Sequence, residues 1–299
     1  MYKLLALDMD GTLLNNNKEI SKENIVAIKK AKEMGVKIVL CTGRAHQGIE
    51  KYLEELELMT DEHYSATCSG AYVLNNTKND VLKCETFSME DIRVVQSMAS
   101  ELDIKFNMFT DTDLMIFENS FFSYYDSIAN KLPLKLVELH DIKDNTNITK
   151  LTLINEDSSV RDSIVKLFKN TEEEEPNNNL YINTNDSFKR NLFDNLSQLP
   201  NNIAEKYTLL KTSPYTVEVI RKEANKGMGV KAISDRFRIR KEEVICIGDS
   251  GNDRHMIKYA GLGVAMGNAF EEIKEIADYI TEDNENNGVA HVIEKFILS

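Results

Sequence analysis

Lys3-Leu4-Leu5-Ala6-Leu7-Asp8-Met9-Asp10-Gly11-Thr12 decides the fold: an apolar run that ends abruptly in two carboxylates, a glycine and a threonine. Leu4 to Leu7 follow one another without polar alternation, the pattern of a strand buried on both faces of a parallel sheet. Ligands of such sheets sit at the carboxyl ends of the strands. Asp8 and Asp10 straddle that end, and Gly11 lets the chain leave in a tight turn. Two acids so close repel unless a cation joins them. A hard divalent ion with oxygen ligands, Mg²⁺ before Ca²⁺, suits them. Taken alone, the stretch also reads as an Asp-Gly turn after a strand. An EF-hand loop is excluded, because its glycine comes sixth and a helix precedes it.

A chain of 299 residues buries roughly three quarters of its unfolded surface and suits one large domain or two, with two expected here. No run approaches the ~20 apolar residues that span a bilayer, and the opening strand leaves no room for a signal peptide. Cys41, Cys68, Cys84 and Cys246 show no Cys-x-x-Cys spacing. The first, second and fourth sit in strand-like runs, as reduced buried thiols of a cytoplasmic protein do. A net charge of -13 argues against nucleic acid and anionic membrane as partners, since both require a basic footprint. An anionic small molecule would need local positive charge from a metal, a few Lys or Arg side chains and backbone N–H groups.

Beyond the opening strand, Ser21 is placed to cap a helix that Gly35 closes, with Ile25, Ile28 and Ala31 as its buried stripe. A second buried strand over 36–41 ends in Thr42-Gly43-Arg44, a third spans 64–68, and a hairpin-like stretch follows over 72–82. The texture changes near Cys84. A helix over 89–102 leads to an antiparallel strand pair at 104–109 and 114–117, then a helix near 121–130, a strand at 151–154 and a helix near 158–168. Residues 171–195, with four consecutive glutamates and repeated asparagines, read as a solvated insertion. Strands at 207–211 and 215–220, joined by a turn holding Pro214, close this section. Alternation of strand and helix then returns: a helix opening at Lys226, a buried strand 244–248 ending at Asp249, a small-residue strand 261–265, and helices over 270–277 and 289–298. The pattern is a parallel α/β core in two sequence pieces, interrupted by an α+β insertion.

Three strand ends thus carry polar groups: Asp8 and Asp10, then Thr42, then Asp249 with Asn252 and Asp253. Lys226 starts a helix between them. Each has an ordinary account as a turn, a cap or surface charge; their joint occurrence in this order does not.

Asp8-Met9-Asp10-Gly11-Thr12-Leu13-Leu14, Cys41-Thr42-Gly43-Arg44, Asn225-Lys226-Gly227 and Gly248-Asp249-Ser250-Gly251-Asn252-Asp253 resemble the four motifs of haloacid dehalogenase (HAD) superfamily phosphohydrolases. The branch is the Cof-type with a type IIB cap, close to bacterial sugar phosphatases. Gly263 to Ala269 fits as well. The resemblance implies a Rossmann-like core over 1–84 and 222–299 and an inserted α+β (C2-type) cap over 85–221. It implies a Mg²⁺-dependent phosphatase of small phosphorylated metabolites such as sugar phosphates, acting as a monomer or weak homo-oligomer. Asp8 would be the nucleophile and Asp10 the acid and base. Asp8, the Asp10 carbonyl and Asp249 would hold the metal. Thr42, Lys226, Asn252 and the N–H groups of Met9, Gly11 and Gly43 would contact phosphate. Asp253 would support the metal or Lys226. A phosphomutase using the same aspartyl-phosphate and a non-catalytic phosphosugar-binding protein are the alternatives. Ser69-Gly70-Ala71 stands where relatives commonly carry Asn-Gly-Ala. Arg44 has two readings, a salt bridge at a helix start or charge beside phosphate. Lys150, Lys211 and Glu218 are candidate substrate contacts in the cap, whereas Phe106, Met108, Phe109, Met115 and Phe117 read as cap core. The five histidines show no ligand spacing, and surface or hydrogen-bonded positions are expected for them.

Overall fold

Each residue of the strand β1 (Leu4–Leu7) is fully buried in the computed structural model, which describes residues 1–78, 80–101, 104–154, 206–211 and 216–299. The helix expected near 158–168, the insertion 171–195 and the Pro214 turn lie outside the described residues. Leu5 and Leu7 pack on one face with Leu40 and Ile247, Leu4 and Ala6 on the other with Val39, Cys246 and Val230. Burying each leucine contributes roughly 1.5–3 kcal/mol. The absence of polar alternation is therefore the direct signature of a two-sided core.

The described chain forms two compact units. The first comprises Met1–Thr86, Ile128–Leu132 and Ile220–Ser299, the second Phe87–Ser127 and Pro133–Val219. In the first unit β1 lies between β2 (Lys37–Leu40) and a late strand, Val244–Gly248, and pairs parallel with both. Leu262–Ala265 and Tyr279–Ile280 extend the sheet to five parallel strands. The parallel bridge from Cys41 to Ala66 ties in β3 (Tyr64–Thr67), which leads a separate antiparallel sheet with β4 (Tyr72–Asn75) and β5 (Val81–Cys84). Ser21 caps the helix Lys22–Glu33 by accepting from Asn24 N–H at 3.2 Å. Ala27, Ile28 and Ala31 are buried there, with Ile25 at the edge.

The second unit is built on a six-stranded sheet: β6 (Lys105–Phe109), β7 (Leu114–Ile116), β8 (Leu134–Leu136), β9 (Lys150–Ile154), β10 (Tyr207–Lys211) and β11 (Thr216–Arg221). β6 and β7 pair antiparallel, as expected. β8, three residues long with two of them exposed, carried no sequence signal and pairs parallel with β7. Phe106 and Met108 belong to the core of this unit, and Met115 and Phe117 pack against it. Phe109 lies outside that core, with the Lys150 ammonium 4.0 Å from its ring centroid. The architecture is an α/β, Rossmann-like parallel-sheet core with an inserted α+β unit. Expected over 270–277, a helix forms only over Glu271–Lys274. Asp278 N–H donates to the Gly263 carbonyl at 2.8 Å and pulls the chain back to the sheet. Among the described residues no helix is long and apolar enough to cross a membrane.

Candidate active site

Where β1 ends, Asp8 N–H still donates to Ile247 at 3.0 Å, which keeps the residue in register with the neighbouring strand. Its side chain is buried. Gly11 then adopts φ +84°, and a Cβ there would stand 2.6 Å from an Asp249 carboxylate oxygen. The glycine thus serves both the turn and the close approach of two strand ends. Thr12, which the sequence reading left without a role, donates its hydroxyl to Asp249 Oδ1 at 2.9 Å.

Lys226 is the first residue of the helix Lys226–Arg236, capped by Asn225, whose side chain accepts from Met228 N–H at 2.9 Å. The Lys226 side chain is fully buried and donates to Asp8 Oδ1 at 2.5 Å and Asp253 Oδ1 at 2.6 Å. Asp253, also fully buried, accepts on Oδ2 from the N–H groups of Asp249 and Ser250, both at 3.0 Å. Carboxylate oxygens of Asp8, Asp249 and Asp253 lie within 4.8 Å of one another. Two buried acids and the half-buried Asp249 thus face one ammonium. Burial, then Asp253, raises the Asp8 carboxyl well above its ordinary value against the pull of Lys226. The same two causes push Asp249 up to about 6. Burial alone would pull Lys226 down, but Asp253 and Asp8 outweigh it and hold the ammonium protonated. A crowded, all-oxygen, acid-rich donor set of this kind fits a hard divalent cation.

Asp10 is arranged differently. Its side chain is 41% exposed and accepts from Arg44 Nε at 2.7 Å on Oδ2, and from Arg44 Nη2 at 2.7 Å and Lys18 Nζ at 2.8 Å on Oδ1. Burial would raise its pKa; the Arg44 hydrogen bonds and the Lys18 charge prevail and hold it well below the carboxylate range. Of the two readings of Arg44, the observed contact is an ion pair, and its partner is Asp10. The motif Thr-Gly-Arg marked Arg44, whereas nothing marked Lys18.

Thr42 is buried, its hydroxyl accepting from Arg44 N–H at 3.2 Å, with Gly43 half-buried beside it. Asn252 is half-buried and accepts from the Ser250 hydroxyl at 2.9 Å in the loop that carries Asp253. Met9 is buried, its carbonyl accepting from Leu14 N–H at 2.9 Å. Asn268 donates to the Gly11 carbonyl at 2.8 Å and so supports the turn from the far end of the chain. Cys68 and Ser69 N–H donate to Arg44 and Thr42 carbonyls, both at 2.9 Å. Next to them Gly70 has φ +87°, and a Cβ there would lie 2.2 Å from the Asn225 carbonyl oxygen. Ser69 itself is fully buried. One loop thereby packs the end of β2 onto the start of the Lys226 helix. Surface or hydrogen-bonded positions are expected of the histidines; His46 is buried, neither ring nitrogen has a hydrogen-bond partner among the described residues, and burial followed by the Lys78 charge pushes its imidazole down to about 4. In the second unit Lys150 and Glu218 are both buried and paired at 2.8 Å. The side chain of Lys211 lies outside the described set.

Residues 5–293 match the family model of the haloacid dehalogenase-like hydrolases. The chain belongs to that family, in the Cof-type branch, and its class is that of the phosphoric monoester hydrolases. It is 33% identical to the YxeH protein of Bacillus subtilis (strain 168) over 301 residues, covering 100% of both chains. A crystal structure of a haloacid dehalogenase-like hydrolase from Bacteroides thetaiotaomicron is similar at TM-score 0.78 and 27% identity, over 99% of this chain and 100% of that one. A HAD subclass IIB sugar phosphatase shares the fold at TM-score 0.75 and 22% identity, over 98% of each chain.

Proposed function

We propose that this protein is a Mg²⁺-dependent phosphatase of small phosphorylated metabolites, sugar phosphates above all, working in the cytoplasm through an aspartyl-phosphate on Asp8. The observation that carries the reading is the buried Asp8–Lys226–Asp253 array beside Asp249 at the end of the central strand. Its four cysteines, three of them buried, accord with a reducing compartment. The sugar phosphatase of like fold and the four sequence motifs support the substrate class.

Asp8, the carbonyl of Asp10 and Asp249 would hold the metal. When bound, a divalent ion offsets repulsion between a carboxylate and a phosphate dianion. Lys226 pulls the nucleophile towards its ionised form against the effect of burial and fixes its direction, since a bonded ammonium favours the charged form of its partner. Asp253 has both oxygens committed to Lys226 and to its own loop, which suits it to orienting the lysine. The Asp8 carboxylate attacks phosphorus, and the bond from phosphorus to the ester oxygen breaks. Asp10, which must first leave Arg44 and Lys18 and take up a proton, delivers that proton to the ester oxygen, and the alcohol leaves. Water then attacks phosphorus, Asp10 takes its proton, and Asp8 is released with inorganic phosphate. Thr42, Asn252 and the N–H groups of Met9, Gly11 and Gly43 are the donors for the phosphoryl oxygens.

Phosphate release by wild type and Asp8→Asn, with Mg²⁺ and with EDTA, across hexose, pentose, triose and nucleotide monophosphates and a nitrophenyl ester tests this reading. Release that needs Mg²⁺ and disappears in Asp8→Asn is expected. Undiminished release by Asp8→Asn refutes it, and turnover only with a bisphosphate activator would indicate a mutase.

A further inference from the structure

Asp10 has both carboxylate oxygens committed to cations. Arg44 grips it with a two-pronged fork, 2.7 Å on each oxygen, and Lys18 adds a third contact at 2.8 Å. Such bidentate guanidinium pairs fix geometry as well as charge. All three of these hydrogen bonds come from cations and hold the carboxylate in its charged form, and the Asp10 carboxylate stands apart from the cluster that unites Asp8, Asp249 and Asp253.

The grip itself is built with care for position. The Arg44 guanidinium lies 5.6 Å from the centroid of the Tyr52 ring. Tyr52 is 1% exposed, and its hydroxyl donates to the Lys18 carbonyl at 2.9 Å. Lys18 sits at φ +59°, a left-handed conformation that a side-chain-bearing residue adopts only where its surroundings impose it. Lys18 N–H donates to the Asn15 carbonyl at 3.0 Å and Glu19 N–H to Asn15 Oδ1 at 2.9 Å, so the turn carrying the lysine is closed on itself. A left-handed backbone, a buried tyrosine hydroxyl and a closed turn all aim one ammonium at one carboxylate.

We propose that Arg44 and Lys18, braced by Tyr52, are positioning residues that hold Asp10 in a resting orientation, which it leaves by side-chain rotation when an ester occupies the site. This rests on the reading of Asp10 as the acid and base given above. The resting orientation holds the Asp10 carboxylate apart from the Asp8 cluster between turnovers, and it competes with the reacting one. Loosening it therefore raises turnover. The exposed partner, Lys18, is the one to loosen, because Arg44 is more deeply packed.

The test begins by showing that Mg²⁺-dependent phosphate release is lost in Asp8→Asn and impaired in Asp10→Ala; failure there overturns the functional reading itself. With that in hand, a crystal structure with Mg²⁺ and a phosphate-mimicking metal fluoride is expected to show the Asp10 carboxylate off Arg44 and Lys18. Lys18→Met and Tyr52→Phe are each expected to speed turnover of an alkyl phosphate about two- to five-fold, the range set by a partly exposed ion pair. In an Asp10→Ala background neither substitution changes the rate. Asp10 still gripped by Arg44 beside the bound mimic overturns the proposal. So does an unchanged or slower Lys18→Met, or an equal effect in the Asp10→Ala background.

Discussion

Replacing Lys226 by methionine keeps most of the side-chain volume and removes the ammonium bonded to both Asp8 and Asp253. Three carboxylates within 4.8 Å, two buried and one half-buried, then face one another. Each ionised pair at that distance repels by about 3.5 kcal/mol at an effective dielectric constant of about 20. Breaking a buried ion pair by deleting one partner costs about 3–5 kcal/mol. We therefore expect Lys226→Met, free of divalent ions at pH 8, to lose about 3–5 kcal/mol of stability in urea denaturation. The sign of the pH dependence follows from proton uptake. Asp8 already sits well above its unfolded value and Asp249 at about 6, and loss of the ammonium drives both higher. On acidification from pH 8 to pH 5 the folded variant binds protons that the unfolded chain does not, so its stability rises relative to wild type. Added Mg²⁺ restores part of the loss at pH 8 by binding the folded form. A variant as stable as wild type at pH 8 without metal, or one that loses ground on acidification, would refute this account of the cluster.

Three further substitutions probe other parts of the chain. Gly70→Ala places a Cβ 2.2 Å from the Asn225 carbonyl at a positive φ, so the backbone before Lys226 must shift; a fall in phosphate release of tenfold or more, roughly the effect of a displaced catalytic group, is expected while circular dichroism stays native. His46 has its pKa lowered to about 4, so the folded form resists a proton that the unfolded chain accepts at about 6.5, and stability present above that pH is lost as pH falls towards 4. His46→Leu removes this dependence, and urea denaturation at pH 4.5 and 7.5 should show a gain over wild type of roughly 2 kcal/mol at the lower pH only. Glu218→Gln leaves the buried Lys150 without its 2.8 Å partner and should cost about 3 kcal/mol, whereas the double change Lys150→Met with Glu218→Leu should recover most of it in the same assay.

The lesson of Asp10 and Arg44 is that a functional acid is legible long before its circumstances are. The spacing Asp-x-Asp-Gly after an apolar run identified two carboxylates at a strand end, and the strand formed there because four successive apolar residues can be buried only between two layers. Ser21 as a cap, the antiparallel pair at β6 and β7, and the Lys226 helix were legible for the same reason: each depends on neighbours in sequence. β8 was not legible, since three residues with little burial leave no periodicity to read. Phe109 resembled its core neighbours in composition but lies on the sheet face that carries Lys150.

What the chain determined locally is which chemical groups stand at the strand ends and how the backbone turns there. What tertiary structure alone decided is which of those groups meet. Lys226 reaches Asp8 from 218 positions away and Asp253 from 27, and Thr12 finds Asp249 across 237. Arg44, read as a salt bridge or as charge beside phosphate, takes Asp10 as its ion-pair partner across 34 positions. The physical reason is range: propensities, caps and turns act within a few residues, whereas charge interactions and hydrogen bonds depend on distance in space, which only the paired strands set. Asp8 has its altered proton affinity, and Asp10 its grip, because β1 lies between two strands whose ends bring two further acids and an arginine to its own, where the start of a helix adds a lysine.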